Sequence, residues 1–337
     1  MAVTLNDVAA AAAVSRSTAS RALSGSPLIS EETRRKVEAA AERLGYRPNR
    51  AASALRTRQS RLIGLVLNNL INASFHTIAE VVQRRAAAEG YQVLLCITDA
   101  DPRREAAFLR TLQDHSVDGV ILIGSGRNVT LVNRMIQDGT AVVNLIRASQ
   151  ESAAPSVLAA DRDGAYEATR YLLELGHVRI GFIGGPPSTN SGRERFTGYQ
   201  DALREQGISV DEKLVVQGPF EPAFGRDAVN QLLDTVPDLT ALFAANHESV
   251  FGILPTLVER GIRIPADLSL VCYEDIPWLR WWRPPITVVD NGAPELAELA
   301  VDLLLQQMGR DGGAGGGGRT YRVGAQLVRR GSCRPLR

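Results

Sequence analysis

The sequence predicts a mixed α/β protein: a small all-helical head ahead of a body of two doubly wound, parallel α/β halves. Three observations carry this. Helix start and stop signals crowd into residues 3–45; short apolar strands alternate with amphipathic helices from residue 61 and begin again after about 160; and net charge changes sign between head and body.

The head opens on Thr4 and Asp7, a capping-box-like pair able to satisfy the free N–H groups of a first helical turn. Leu5, Val8, Ala9 and Ala12 then share one face. After Ala13-Val14, Ser15 caps a second helix, with Thr18, Ala19, Ala22 and Leu23 inward and Arg16, Ser17, Ser20 and Arg21 outward. That outer set suits a DNA major groove, because arginine donates two hydrogen bonds to a guanine edge and hydroxyls reach phosphates or either base type. The alternative is an Ala-rich hairpin with a solvated basic face, and the two segments after it in the chain weigh against that. Ser30 caps a third helix, with Glu31 and Glu32 in its positive first turn, Val37, Ala40, Ala41 and Leu44 on one face, and Gly45 at its end.

In residues 45–60, GYRPNRAASALRTRQS, Pro48 breaks the chain and Asn49 is a cap candidate. The remaining RAASALR makes only about two turns, too short to be stable alone in water, so it is expected to fold on something. Ala51, Ala52 and Ala54 allow two helices to approach closely, and Leu55 between Arg50, Arg56 and Arg58 suits a minor-groove wedge. The alternative is an exposed basic linker.

Residues 1–61 carry a net charge of +6 and the remainder −5, so the overall +1 conceals a basic head on an acidic body. Concentrated positive charge attracts phosphates and makes binding salt-dependent. Cys96, Cys272 and Cys333 are widely spaced without metal-ligand spacing, and no cofactor is expected. The absence of an N-terminal hydrophobic segment or an 18-residue apolar span argues for the cytoplasm and against a membrane partner.

In the body, RLIGLVLNN, a helix near 75–89, YQVLLCITD, a helix near 102–115 and VDGVILIGS form the first half. A helix near 163–175, RIGFIGG, a helix near 192–206, LVVQGPF, a helix near 224–234, ALFAANH, another helix and LSLVCYED form the second. Continuous apolar strands imply sheets covered on both faces, with ligands beyond the strands' carboxyl ends, hence in a cleft between the halves. Strand-end logic nominates Asn68, Asn72, Phe75, Arg147, Ser191, Arg195, Phe220, Asn246 with His247, and Glu274 with Asp275. Aromatic walls, arginine forks and a carboxylate suit a small polar ligand. Phe75 and Phe220 as core aromatics, and Arg147 as a rim salt-bridge partner, are the structural alternatives.

The chain resembles the LacI/GalR family of bacterial transcription regulators. VTLNDVAAAAAVSRSTASRAL, LGYRPNRAASALR, RLIGLVL, ELGHVRIGFIGGP, RERFTGYQDAL and PPITVV carry the resemblance, in order, over nearly the whole length. It implies a lambda-repressor-like helix-turn-helix headpiece at 1–47, a hinge helix or linker at 48–60, and a type I periplasmic-binding-protein-like effector and dimerisation domain at 61–337. Within that domain it implies an N-subdomain of about 61–160 and 293–320 and a C-subdomain of about 163–290 and 323–337, with crossings near 159–163, 290–293 and 320–323. The implied partners are double-stranded operator DNA read by a homodimer and a small-molecule effector. The implied DNA contacts are Thr4, Leu5, Ser15, Arg16, Ser17, Thr18, Ser20, Arg21, Ser30, Thr33, Asn49, Ala52 and the hinge wedge Leu55. The resemblance supports Phe75, Arg147, Arg195, Phe220, Asn246 and Glu274 as effector contacts, to which strand-end position adds Asn72 and Ser191. RRGSCRPLR closes the chain without leucine heptads, so a dimer rather than a tetramer is expected.

Four places depart from the family pattern. Ala13 replaces a usual Gly before Val-Ser, where a left-handed backbone would cost roughly 1 kcal/mol or more. His247 replaces a common Asp and Glu274 another, a pair that points to ligand chemistry unlike that of a typical sugar sensor or, equally, to a satisfied structural histidine, and Ala73-Ser74 replaces a frequent Pro-Phe. An enzyme is the competing class, but there is no nucleophile elbow, no phosphate loop, no His-Glu-x-x-His and no clustered metal ligands. A binding module without regulation is disfavoured by the head.

Overall fold

The computed structural model describes residues 3–24, 26, 28–46, 59–149, 151–309 and 318–336. The expected hinge segment, with Asn49, Ala52 and Leu55, and nearly all of the glycine-rich loop at 311–318 lie outside the described residues. The chain divides into two compact units, 1–60 and 61–337.

The first unit contains α1 (Leu5–Ala11), α2 (Arg16–Leu23) and α3 (Glu31–Leu44). Each starts where a hydroxyl or carboxylate meets free backbone donors. The Asp7 carboxylate accepts from the Thr4 N–H at 2.8 Å and its hydroxyl at 2.7 Å, and the backbone bond foremost among these holds the acid below its usual pKa. Ser15 Oγ accepts from the Thr18 N–H at 3.1 Å, and Ser30 Oγ from the Thr33 N–H at 3.3 Å. Val8, Ala9, Ala19, Ala22, Val37, Ala40 and Ala41 form the core, with Leu5, Ala12, Leu23 and Leu44 half-buried against it. Mostly small side chains bring the three helices close.

Between α1 and α2 the backbone is left-handed at Ala13, with φ 55°. A Cβ in that conformation costs about 1 kcal/mol, so Ala13→Gly is expected to stabilise the head by up to that amount, less the extra chain entropy glycine brings to the unfolded state. Slower amide hydrogen exchange in α1 and α2 would confirm it; faster exchange would show that the turn stores no strain.

The second unit holds two six-stranded sheets. The first contains β1 (Leu62–Leu67), β2 (Gln92–Ile97), β3 (Gly119–Leu122), β4 (Ala141–Leu145), β5 (Ser156–Ala159) and β11 (Thr320–Val323), in the order β11-β5-β4-β3-β1-β2. The second contains β6 (Ile180–Gly184), β7 (Val215–Gln217), β8 (Ala241–Ala244), β9 (Ser269–Tyr273), β10 (Thr287–Asp290) and β12 (Gln326–Val328), in the order β12-β10-β9-β8-β6-β7. The two are wound alike. All pairings are parallel except β12 against β10, an antiparallel edge in a sheet expected to be parallel throughout. Central strands such as VVNL and LFA are buried at every residue, as sheets covered on both faces require.

Helices α4 (Ala73–Ala88), α5 (Pro102–Asp114), α6 (Val129–Gln137) and α12 (Ala293–Met308) belong to the first half. Helices α7 (Asp161–Glu174), α8 (Asn190–Glu205), α9 (Pro222–Thr235), α10 (His247–Glu259) and the short α11 (Pro277–Trp281) belong to the second. Those expected near 75, 163, 192 and 224 begin two residues earlier, at 73, 161, 190 and 222, three of them because the cap (Asn72, Thr189) or opening proline (Pro222) lies ahead of the first apolar position; the one expected near 102 starts there, at Pro102 after the Asp101 cap. Helix α6 is not among the elements expected from the sequence, although Val132 and Met135 bury one face of it.

The chain passes between the halves at Ala160, at 291–292 and at 324–325. The last lies beyond the 320–323 expected, because Thr320–Val323 itself pairs with β5 in the first sheet. Among the described residues no helix is long and apolar enough to cross a membrane.

Candidate ligand cleft and nucleic-acid surface

Helix α2 presents Arg16, Ser17 and Arg21 to solvent, with Ser20 half-exposed. Neither arginine has a carboxylate within 4.0 Å among the described residues, whereas Arg34, Arg35 and Lys36 of α3 are engaged by Glu31 and Glu32. Ser15 Oγ lies 2.8 Å from the hydroxyls of both Ser17 and Thr18, tying the helix start together. Thr4, Ser15 and Ser30 are exposed, while Leu5, Thr18 and Thr33 are half-buried. The face therefore offers two unpaired guanidinium groups among hydroxyls, the donor set that a phosphate-lined groove takes up.

In the second unit, loops and helix starts after the strands enclose a cavity of about 530 Å³. Asn72, Phe75, Arg147, Ser191, Arg195, Phe220, Asn246 and Glu274, all nominated from sequence, line it together with Asn68. Two helix caps shape the wall. Asn72 Oδ1 accepts from the N–H groups of Ser74 and Phe75 at 3.0 and 3.3 Å, and Asn246 Oδ1 from Ser249 at 2.7 Å. Capping engages each oxygen, while the buried Asn246 Nδ2 has no partner among the described residues. Phe220 can stand there because Gly185, beyond β6, has no Cβ; one built there would sit 2.1 Å from the ring.

The centre of the site is an ionic chain. Arg195, 4% exposed, donates Nε to Asp161 at 2.7 Å, Nη1 to the Ala245 carbonyl at 2.7 Å and Nη2 to Glu274 at 3.3 Å, and its guanidinium lies 3.7 Å from the Tyr273 ring centroid. Burial opposes the charge on Arg195, but Asp161 and Glu274 overcome it and raise the guanidinium pKa. Glu274 is likewise buried, yet His247 and Arg195 hold its carboxyl below the usual range. His247, fully buried, bonds Glu274 through Nδ1 and receives the Ala73 N–H at Nε2 over 3.4 Å, a contact from one half to the other. With Nε2 accepting, the proton belongs on Nδ1. Asn190 Nδ2 makes a second bridge, to the Ile146 carbonyl at 3.0 Å.

Four residues lining the cavity carry left-handed backbone: Asp99 at φ 52°, Ala100 at φ 57°, Ile146 at φ 62° and Glu274 at φ 80°. For a β-branched residue such a conformation costs on the order of 1–3 kcal/mol. The bend at Ile146, closed by a 2.6 Å bond from the Arg147 N–H to the Leu145 carbonyl, turns Arg147 out of β4 and onto the cavity wall.

Two nominated neighbours stand elsewhere. Asp275 is held by Arg280 and Arg330 at 2.8 and 2.6 Å and does not line the cavity, and His247 acts from behind Glu274. Sequence reasoning missed Glu248, whose place in the first turn of α10 has the character of an ordinary helix-dipole partner. It lines the cavity, and burial pushes its carboxyl pKa up. Asp99 also lines the cavity, paired with Arg104, whereas Asp101 caps α5.

Comparison with known proteins matches residues 4–49 to "Bacterial regulatory proteins, lacI family" and residues 169–333 to "Periplasmic binding protein-like domain". The HTH-type transcriptional repressor PurR of Klebsiella pneumoniae (strain 342) is 32% identical over 308 residues, 90% of each chain. A lac repressor dimer bound to operator and the anti-inducer ONPF superposes with a TM-score of 0.85 at 27% identity, over 98% of this chain and 99% of that one. The transcriptional regulator CelR in complex with cellobiose superposes at 0.73 with 30% identity, over 98% and 99%.

Proposed function

The chain belongs to the LacI family of bacterial regulatory proteins, and from that premise we propose that it binds a near-palindromic operator as a homodimer, represses transcription there, and responds to a small polar effector held in the cleft. One observation carries this reading: the eight residues nominated from strand ends and family motifs converge on one cavity wall, in a unit joined to a head with two unpaired outward arginines. The lac repressor dimer bound to operator and the PurR repressors supply the analogy for dimerisation and repression. Action on chromosomal DNA implies the cytoplasm. By the same analogy Leu55 serves as the minor-groove wedge.

Coupling rests on geometry. The Ala73–His247 and Asn190–Ile146 bonds join the two halves across the cleft. A ligand that fits better with these bonds made than broken shifts the balance between two arrangements, and only that difference in affinity can alter operator binding.

The test is selection of operator sites from genomic fragments by the full-length protein at modest ionic strength. Arg16→Ala is then expected to lose about 1–3 kcal/mol of discrimination at one base pair in each half-site. Unchanged base preference would remove Arg16 from the reading role, and failure to enrich any sequence would end the regulator reading.

A further inference from the structure

Within the ionic chain Arg195 is neutralised by two carboxylates, but Arg147 has none within 4.0 Å among the described residues. Its partner is an amide: with the Asn68 side chain oriented to donate to the Ile123 carbonyl at 3.2 Å, its oxygen accepts from Arg147 Nη1 and Nη2 at 2.9 and 3.1 Å. That contact fixes the guanidinium without supplying negative charge.

Arg147 also stands at a junction. A second cavity of about 570 Å³ adjoins the first and shares Arg147 and Thr189 with it. Arg127 and Arg193 line this second space, again without a carboxylate within 4.0 Å among the described residues. Its buried acid, Glu105, is already taken up by the Ser125 N–H at 2.6 Å, the Ser125 hydroxyl at 3.1 Å and Asn128 Nδ2 at 2.8 Å, and so braces the loop that forms the wall. Asn246, whose buried Nδ2 has no partner among the described residues, also lines the first cavity. Glu248, beside Asn72 and Asn69, and Glu274 offer acceptors to a ligand's hydroxyls, as does Glu221, while Asp99 on the same lining is paired with Arg104.

We propose that the effector is a hydroxylated molecule bearing an oxyanion, a carboxylate or a phosphate, with its hydroxyls toward Arg195, Asn246 and Glu274 and its anionic group against Arg147 at the mouth of the second cavity. A planar guanidinium matches either oxyanion through paired N–H donors. The proposal rests on the cleft being the effector site.

Its test uses the full-length protein and matched compounds differing in the acid: glucose with glucuronate and glucose 6-phosphate, and ribose with ribonate and ribose 5-phosphate. Calorimetry at about 50 and about 300 mM salt separates charge from shape. The expected result is an acidic member binding at least roughly tenfold tighter than its neutral partner, a preference that shrinks at high salt, is retained by Arg147→Lys and is lost by Arg147→Gln. The carboxylate and phosphate arms tell which oxyanion is read. Neutral compounds binding as well as acidic ones, or a preference untouched by Arg147→Gln, overturns the acid class while leaving the cleft reading intact. If no sugar binds, inorganic phosphate and citrate that stabilise the wild type but not Arg147→Gln at equal ionic strength still support the subsite; equal melting temperatures overturn it.

Discussion

Replacing Arg195 with methionine is expected to destabilise the effector unit by about 3–5 kcal/mol and to abolish its response to ligand. The side chain is 4% exposed and is the hub through which Asp161 and Glu274 keep their charges away from water. Methionine preserves much of the volume, so lost packing is the smaller effect; the larger is two buried carboxylates facing each other without a cation. Asp161→Asn combined with Arg195→Met is therefore expected to recover a substantial part of the loss, since it removes one uncompensated charge. Urea denaturation of the two variants checks both statements. A single mutant within about 1 kcal/mol of wild type would mean that the ionic chain carries little of the stability.

The second large effect concerns Gly252, near the middle of α10. Helix propensity alone says that Gly252→Ala should stabilise by about 1 kcal/mol. The packing says otherwise. A Cβ built there sits 1.9 Å from the Pro222 carbonyl oxygen and 2.7 Å from the Arg226 nitrogen, both backbone of α9, and Gly225 of α9 returns the contact, its own Cβ 2.1 Å from the Ser249 oxygen. Backbone cannot swing aside as a side chain does, so the two helices must separate, at a cost of about 3 kcal/mol. Because α9 begins directly after the Phe220–Glu221 wall, the displacement reaches the cavity and weakens ligand binding as well. A rise in the denaturation midpoint of Gly252→Ala would show that the close approach is not required.

Much of this architecture was legible because its signals are local. Ser15 and Ser30 announce helices that the structure caps with those hydroxyls, and apolar runs such as RIGFIGG announce buried strands. The cleft was legible at one remove: strand ends and family motifs nominated its residues, and all eight reached the same cavity. What escaped depended on long-range contact. Nothing in its neighbours reveals that Glu248 faces a cavity, or that Thr320–Val323 reaches back to β5. The short β12 turns antiparallel because it comes only two residues after β11, a fact of connection rather than of composition. Ala13 shows the reverse case: the missing glycine was visible in the sequence, and the turn keeps its left-handed backbone regardless.

All three links between the halves leave from the same margin of each sheet, through β5 and β11 on one side and β10 and β12 on the other. A door hung on three pins along one jamb swings but hardly skews. Any opening of the two lobes is accordingly expected to reduce to nearly a single angle, which one pair of spectroscopic labels on the margins farthest from the jamb, at β2 and β7, would track.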